Sequence, residues 1–124
     1  MVGRRRTTKS RDDAEDFLPL PIAQFHILVA LTGGQQHGYA IMGDVEELSR
    51  GTVKMGPGTL YGTLKRLVDD GLVEEVDGQP HHPEDERRRY YRLTGLGRQV
   101  CTAEADRLAR LVRVAKNNLR PGLV

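Results

Sequence analysis

The apolar period changes twice along this 124-residue chain, and those changes restrict what it can fold into. Up to Asp70 the period is helical. Leu20 to Leu31 is nearly continuous apolar sequence broken by Gln24 and His26, and the Gly33-Gly34 stop predicts a buried helix rather than a strand. Tyr39 to Ser49 predicts a second helix, with Tyr39, Met42, Val45 and Leu48 as its apolar stripe. A third opens at Gly56-Pro57-Gly58-Thr59, carries Leu60, Leu64, Leu67 and Val68 on one face, and stops at Asp69-Asp70-Gly71. The period then shortens. Leu72 to Val76 and Arg89 to Leu93 are strand-like runs joined by a polar loop with Gly78, Pro80 and Pro83. Thr94 caps a last helix, roughly Leu96 to Leu119, with Val100, Leu108, Leu111, Ala115 and Leu119 near heptad spacing.

Three helices, a hairpin and a long helix imply a mainly α fold with a small β-hairpin wing. This is a winged helix-turn-helix followed by a C-terminal dimerisation helix. The expected divisions are a disordered arm at 1–16, a DNA-binding domain at 17–94, the dimerisation helix at 95–120 and a tail at 121–124. The arm holds five basic residues followed by four acidic ones in its second half, and is read first as a solvated tail and second as a DNA-touching arm.

Composition removes other classes. No run approaches the ~20 apolar residues that cross a bilayer, and the N-terminus lacks a signal-peptide pattern, so the expectation is a cytoplasmic protein without a membrane partner. One cysteine, Cys101, excludes an intrachain disulfide framework and is read as a small apolar filler. No G-x-S-x-G, P-loop or metalloprotease helix occurs, so neither an enzyme nor a bound cofactor is expected. His81 and His82 beside Glu84, Asp85 and Glu86 leave a metal-responsive regulator as an alternative, although no metal ligand set is assigned. His26 is read as a satisfied core or interface group and His37 as a helix-starting group.

The charges are segregated. The net charge is only +2, yet Lys54 to Val68 holds three basic residues and no acid, whereas Asp69 to Glu86 holds eight acids and no Lys or Arg. Arg87, Arg88, Arg89 and Arg92 then bracket Tyr90 and Tyr91. Opposite its leucines the third helix shows Thr59, Tyr61, Gly62, Thr63, Lys65 and Arg66, groups that can touch phosphates and base edges in a major groove. Gly62 costs ~1 kcal/mol against Ala in a helix interior, and either close approach to DNA or close helix packing accounts for it. In the second strand Tyr91 and Leu93 should face the core, leaving Arg88, Tyr90 and Arg92 for flanking phosphates. The competing use of those arginines is pairing with Glu84, Asp85 and Glu86. Near-neutral charge predicts weak non-specific DNA affinity.

His37-Gly38-Tyr39-Ala40-Ile41, Gly56-Pro57-Gly58-Thr59-Leu60-Tyr61, Lys65-Arg66-Leu67, Gly71-Leu72-Val73 and Arg89-Tyr90-Tyr91-Arg92-Leu93-Thr94 with Gly97-Arg98 together resemble the PadR family of bacterial transcriptional regulators. The order and spacing agree over residues ~20–98. The resemblance implies a homodimeric repressor on an inverted-repeat operator, often with ATGT/ACAT-like half-sites, and modulation by an unidentified small-molecule effector. It implies DNA contact by Tyr39, Pro57, Gly58, Thr59, Tyr61, Lys65 and Arg66, with Arg88 and Tyr90 in the wing. It also places an effector cavity between the dimer helices and the winged domain. The chain departs from the pattern in its long acidic wing loop, its single C-terminal helix and its lack of tryptophan. A protein-interaction module is the rival class.

A dimer also follows from burial. Leu108, Leu111, Val112, Ala115 and Leu119 have little left in one domain to cover them; a second copy, together with Phe17, Leu20 and Phe25 of the first helix region, would. The alternative is that the helix folds back on its own domain.

Overall fold

Residues 14–77 and 89–121 are described in a computed structural model of the chain. Helix α1 spans Ile22–Ala30, directly after Pro21, and runs into a 3-10 turn at Leu31–Gly33 that Gly34, at φ 135°, terminates. Strand β1, Gln36–His37, leads into α2, Gly38–Leu48. His37 is the N-cap of α2, its Nδ1 accepting from the Ala40 amide at 3.3 Å, which is the helix-starting role expected for it. Helix α3, Pro57–Asp69, takes Pro57 in its first turn, where the missing amide hydrogen costs no helical bond. Strands β2, Val73–Asp77, and β3, Arg89–Leu93, precede α4, Gly95–Leu119, which Thr94 caps by accepting from the Gly97 amide at 2.9 Å.

The mainly helical fold with a small sheet agrees with the expectation, but the sheet has a third strand. Its order is β1-β3-β2, antiparallel throughout, with Gln36 opposite Tyr91 and Glu74 opposite Arg92. Two residues are too few to show an alternating pattern, so β1 left no periodic signal.

One core holds these elements together. Ile27, Leu28 and Leu31 meet Ile41 and Val45 of α2, Leu60, Leu64 and Leu67 of α3, Leu72 and Val73, Tyr91 of β3 and Val100 of α4. The buried stripe of α2 is therefore Gly38, Ile41 and Val45; Tyr39 and Leu48, assigned to that stripe from sequence, are exposed. Spacing by threes drifts round a 3.6-residue helix, and only the i, i+4 pair Ile41 and Val45 stays centred. Ala14 is also buried, so the chain joins the core before the expected boundary after residue 16.

The start of α4 is fixed by a close backbone approach. A Cβ on Gly97 would run into the Leu72 carbonyl oxygen. Thr94 ties the same corner together, its hydroxyl donating to the Gly71 carbonyl at 2.6 Å and its amide to the Leu72 carbonyl at 3.1 Å. The result sets α4 squarely on the turn that follows α3.

Candidate nucleic-acid interface

Burying Leu60, Leu64 and Leu67 completely turns the other side of α3 outward. Pro57, Gly58, Thr59, Tyr61, Gly62, Lys65 and Arg66 are exposed there, and Thr63 is half-buried. A Cβ on Gly62 would meet nothing within 4 Å, nor would one on Gly58, so neither glycine makes room for another part of this chain. Of the two uses considered for Gly62, close helix packing is absent among the described residues. The Thr63 hydroxyl donates to the Thr59 carbonyl at 2.8 Å.

Tyr61 has a second job that the sequence pattern did not disclose. Its ring lies over the first turn of α2, so closely that a Cβ on Gly38 would collide with it. Gly38 and Tyr61 thereby set how α2 and α3 cross. Tyr39 stands exposed beside this junction. The paired occurrence of Gly38 and Tyr61 was visible in sequence, but nothing in one-dimensional spacing shows that they touch.

The wing continues the surface. On β3, Tyr91 and Leu93 are buried and Arg92 is exposed, the alternation expected of them. Tyr90 is half-buried and meets the His37 ring edge-on at 5.6 Å, so the wing strand rests on the start of α2. Burial pushes the Tyr91 phenol above its ordinary range, a mark of a core group. Arg88 lies outside the described residues, as do His81, His82 and the acids Glu84, Asp85 and Glu86.

The arginines of β3 nevertheless have carboxylate partners, on β2. Arg92 Nε donates to Glu74 Oε2 at 2.6 Å, and Arg89 Nη1 to Glu75 Oε2 at 2.5 Å. The Glu75 hydrogen bond holds the Arg89 guanidinium above its usual value. Glu74 sits directly opposite Arg92 in the ladder, whereas Glu75 reaches Arg89 diagonally. On α3, Lys65 Nζ lies 3.1 Å from Asp69 and Arg66 Nε 3.5 Å from Asp70, both at i, i+4 spacing.

The residues expected to pair two copies divide sharply. Leu20 is in this chain's own core, and its amide donates to the buried Glu104 carboxylate at 2.9 Å; its assignment to an interface is corrected. Phe17 and Phe25 are half-buried against the core, and Leu108 is half-buried. Leu111, Val112, Ala115 and Leu119 are exposed. Glu104 also accepts from Arg107 Nε at 2.6 Å and Nη2 at 3.0 Å, and the Arg107 bonds hold its carboxyl below the usual carboxylate range.

An open groove of about 1060 Å³ runs between Ala14–Leu18 and the first half of α4, with Arg98, Thr102, Arg107 and Arg110 on its wall. Cys101 is buried and its thiol is pushed up by that burial, the opposite of an activated thiolate. His26 is half-buried, with Nδ1 2.9 Å from the Ile22 carbonyl. No group of three or more metal-ligating side chains occurs among the described residues, and none of their helices is long and apolar enough to cross a membrane.

Comparison with known proteins agrees with this architecture. Residues 27–103 match the transcriptional regulator PadR-like family. The chain is 37% identical over 94 residues to the transcriptional regulator Rv3488 of Mycobacterium tuberculosis, covering 73% of this chain and 78% of that protein. It is 40% identical over 89 residues to an uncharacterized 37.1 kDa protein in transposon TN4556 of Streptomyces fradiae; the match takes in 72% of this chain but spans only 24% of that longer protein. The fold also superimposes on Bacillus subtilis PadR in complex with operator DNA, with a TM-score of 0.57 and 24% identity, covering 71% of this chain and 47% of that one. The chain belongs to the PadR-like family of transcriptional regulators.

Proposed function

We propose that this regulator is a homodimeric repressor that binds an inverted-repeat operator through α3 and the wing. The observation that carries the reading is the outward face of α3, with Thr59, Tyr61, Lys65 and Arg66 exposed and Thr63 half-buried, together with an exposed wing arginine, Arg92. A helix of this breadth fits the major groove, and Gly58 and Gly62 let its backbone approach the bases. Pro57 and Tyr39 border the same face, Tyr90 extends it along the wing, and Arg88 is included as a contact on the sequence and the family resemblance alone. The operator complex of Bacillus subtilis PadR supports DNA as the partner. The exposed apolar residues of distal α4 support pairing of two copies, which would set two α3 helices about one DNA turn, ~34 Å, apart. The groove beside Arg98 and Arg110 supports an effector site between α4 and the winged domain.

The test starts with duplexes selected by the wild-type protein from a random pool. Lys65→Ala and Arg66→Ala should weaken binding to the selected duplex and flatten the salt slope by about one unit per lost phosphate contact. Wild-type binding by both variants would mean that another face reads DNA. Sedimentation should show a species of twice the 13.9 kDa chain mass; a monomer throughout the binding range would remove the paired operator.

A further inference from the structure

The cations of this face come already matched with anions. Lys65 faces Asp69, Arg66 faces Asp70 and Arg92 faces Glu74, at 2.6 to 3.5 Å. The Arg89–Glu75 pair lies on the other side of the hairpin, with Tyr91. Both partners of each of the three pairs are at least partly exposed, so the links are exchangeable rather than locked into the core. From these six groups the surface has no net charge. We propose that Asp69, Asp70 and Glu74 are specificity-determining residues, withholding the cations of α3 and the wing from DNA that offers phosphates without the right bases. The proposal rests on the DNA-binding reading above and assigns a role to groups that reading leaves out.

Helix stability does not account for the two aspartates. Asp69 and Asp70 lie at the C-terminal end of α3, where the helix dipole disfavours negative charge. Their pairs also run from cation to acid along the chain, the less favourable order for an i, i+4 pair. Asp69 and Asp70 are thus carried against the local preference. On the wing the acid, Glu74, comes from the neighbouring strand, so two unrelated geometries reach the same neutral outcome.

The electrostatic consequence differs between kinds of DNA. Non-specific affinity comes almost wholly from cations that displace counterions from phosphates. A cation that leaves its own carboxylate for a phosphate exchanges one anion for another, and the abandoned carboxylate then faces the polyanion. Random duplex offers nothing to offset this. Cognate duplex adds base-edge contacts to Thr59 and Tyr61, which do not depend on the exchange.

The experiment compares Asp69→Asn/Asp70→Asn and Glu74→Gln with wild type, on the selected duplex and on a random-sequence duplex of equal length. A control, Glu46→Gln/Glu47→Gln, removes two exposed negative charges of α2 that pair with none of these cations. Each test variant should tighten random-duplex binding roughly tenfold or more near 0.1 M salt and steepen its salt slope by about one unit per freed cation. Selected-duplex binding should tighten less, so the ratio of the two affinities falls. Unchanged random-duplex binding overturns the proposal while wild-type operator binding keeps the DNA reading intact. An equal gain on both duplexes, or an equal gain in the control, also overturns it, because net charge alone would then explain the effect. Failure of the wild-type protein to select any duplex removes the DNA reading, and the proposal with it.

Discussion

The two halves of α4 share one stripe and have opposite surroundings. Gly97, Cys101, Glu104, Leu108, Leu111, Ala115 and Leu119 recur along the same side of a 25-residue helix about 37 Å long. In the first half Gly97, Val100, Cys101 and Glu104 are buried. Beyond Leu108 the cover ends: Leu111 is 58% exposed, Val112 49% and Leu119 77%. Nothing in the stripe itself changes at that point. What changes is that α1 and β3 have been left behind, since these are the elements α4 packs against. An isolated helix of a dozen residues is marginal in water. The difference teaches that this fold is finished only for half of its last helix, and the uncovered half asks for a partner.

The comparison can be broken most forcefully at the packed end. Gly97→Ala would bring a Cβ onto the Leu72 carbonyl oxygen, which is backbone and has little room to move. Better helix propensity, worth at most ~1 kcal/mol, does not offset that overlap. We expect a net loss of about 3 kcal/mol, read by thermal or urea melting. A neutral or stabilising result would mean that α4 is not anchored on the turn after α3. The same substitution at Gly62, over open space, should leave the fold intact, so any loss of DNA binding there would report close approach to the duplex.

Glu104→Ala is the next largest. It leaves the buried Leu20 amide without an acceptor, expected to cost about 2 kcal/mol. Glu104→Gln keeps an acceptor for Leu20 and should lose less. The pH dependence has a definite sign. Because Arg107 and the Leu20 amide lower the Glu104 pKa in the folded chain, its contribution is full above the unfolded value, ~4.3, and fades as pH falls through the lower folded value. Melting of wild type and Glu104→Gln should therefore converge in acid. Parallel curves down to the lowest pH would exclude the carboxylate as their source.

Much of this was legible in sequence because it follows from period and punctuation. Leu60, Leu64 and Leu67 marked the buried face of α3, and Gly56-Pro57 its opening. Tyr91 and Leu93 marked the inner face of β3, and Thr94 the start of α4. What escaped depends on chain segments meeting in space. Glu104 sits within an apolar stripe, and only the arrival of the Leu20 amide, 84 residues away in sequence, makes a charge acceptable there. The Arg92 and Arg89 partners proved to be Glu74 and Glu75, because strand register, not proximity along the chain, decides which acids face them. Leu20 was apolar and near the start of a helix, which says that it is buried but not whether by its own chain or another.

At the uncovered end, effects should fall on assembly rather than on the fold of one chain. Leu111→Ala removes exposed surface from the protomer, so monomer melting should hardly move. Loss of this partly exposed side chain from both copies together should cost ~1–2 kcal/mol of pairing, so the dimer should weaken about tenfold, measured by sedimentation. If Leu111→Ala destabilised the monomer instead, distal α4 would be folding back on its own domain.

The smallest effect sharpens the comparison further. Val114 is 50% exposed, much like Leu111, so accessibility alone does not distinguish them. Their positions on the helix do: Val114 lies roughly 115° round from the middle of the stripe formed by Leu108, Leu111, Val112, Ala115 and Leu119. If the covered face of proximal α4 continues unbroken into the dimer, Val114 falls at its rim. Val114→Ala should then change the dimer constant less than twofold, against about tenfold for Leu111→Ala. Equal or reversed effects would place the pairing face round the helix from the stripe that Gly97, Cys101 and Glu104 begin. The two halves of α4 would then be covered on different sides, and one continuous face would not account for both.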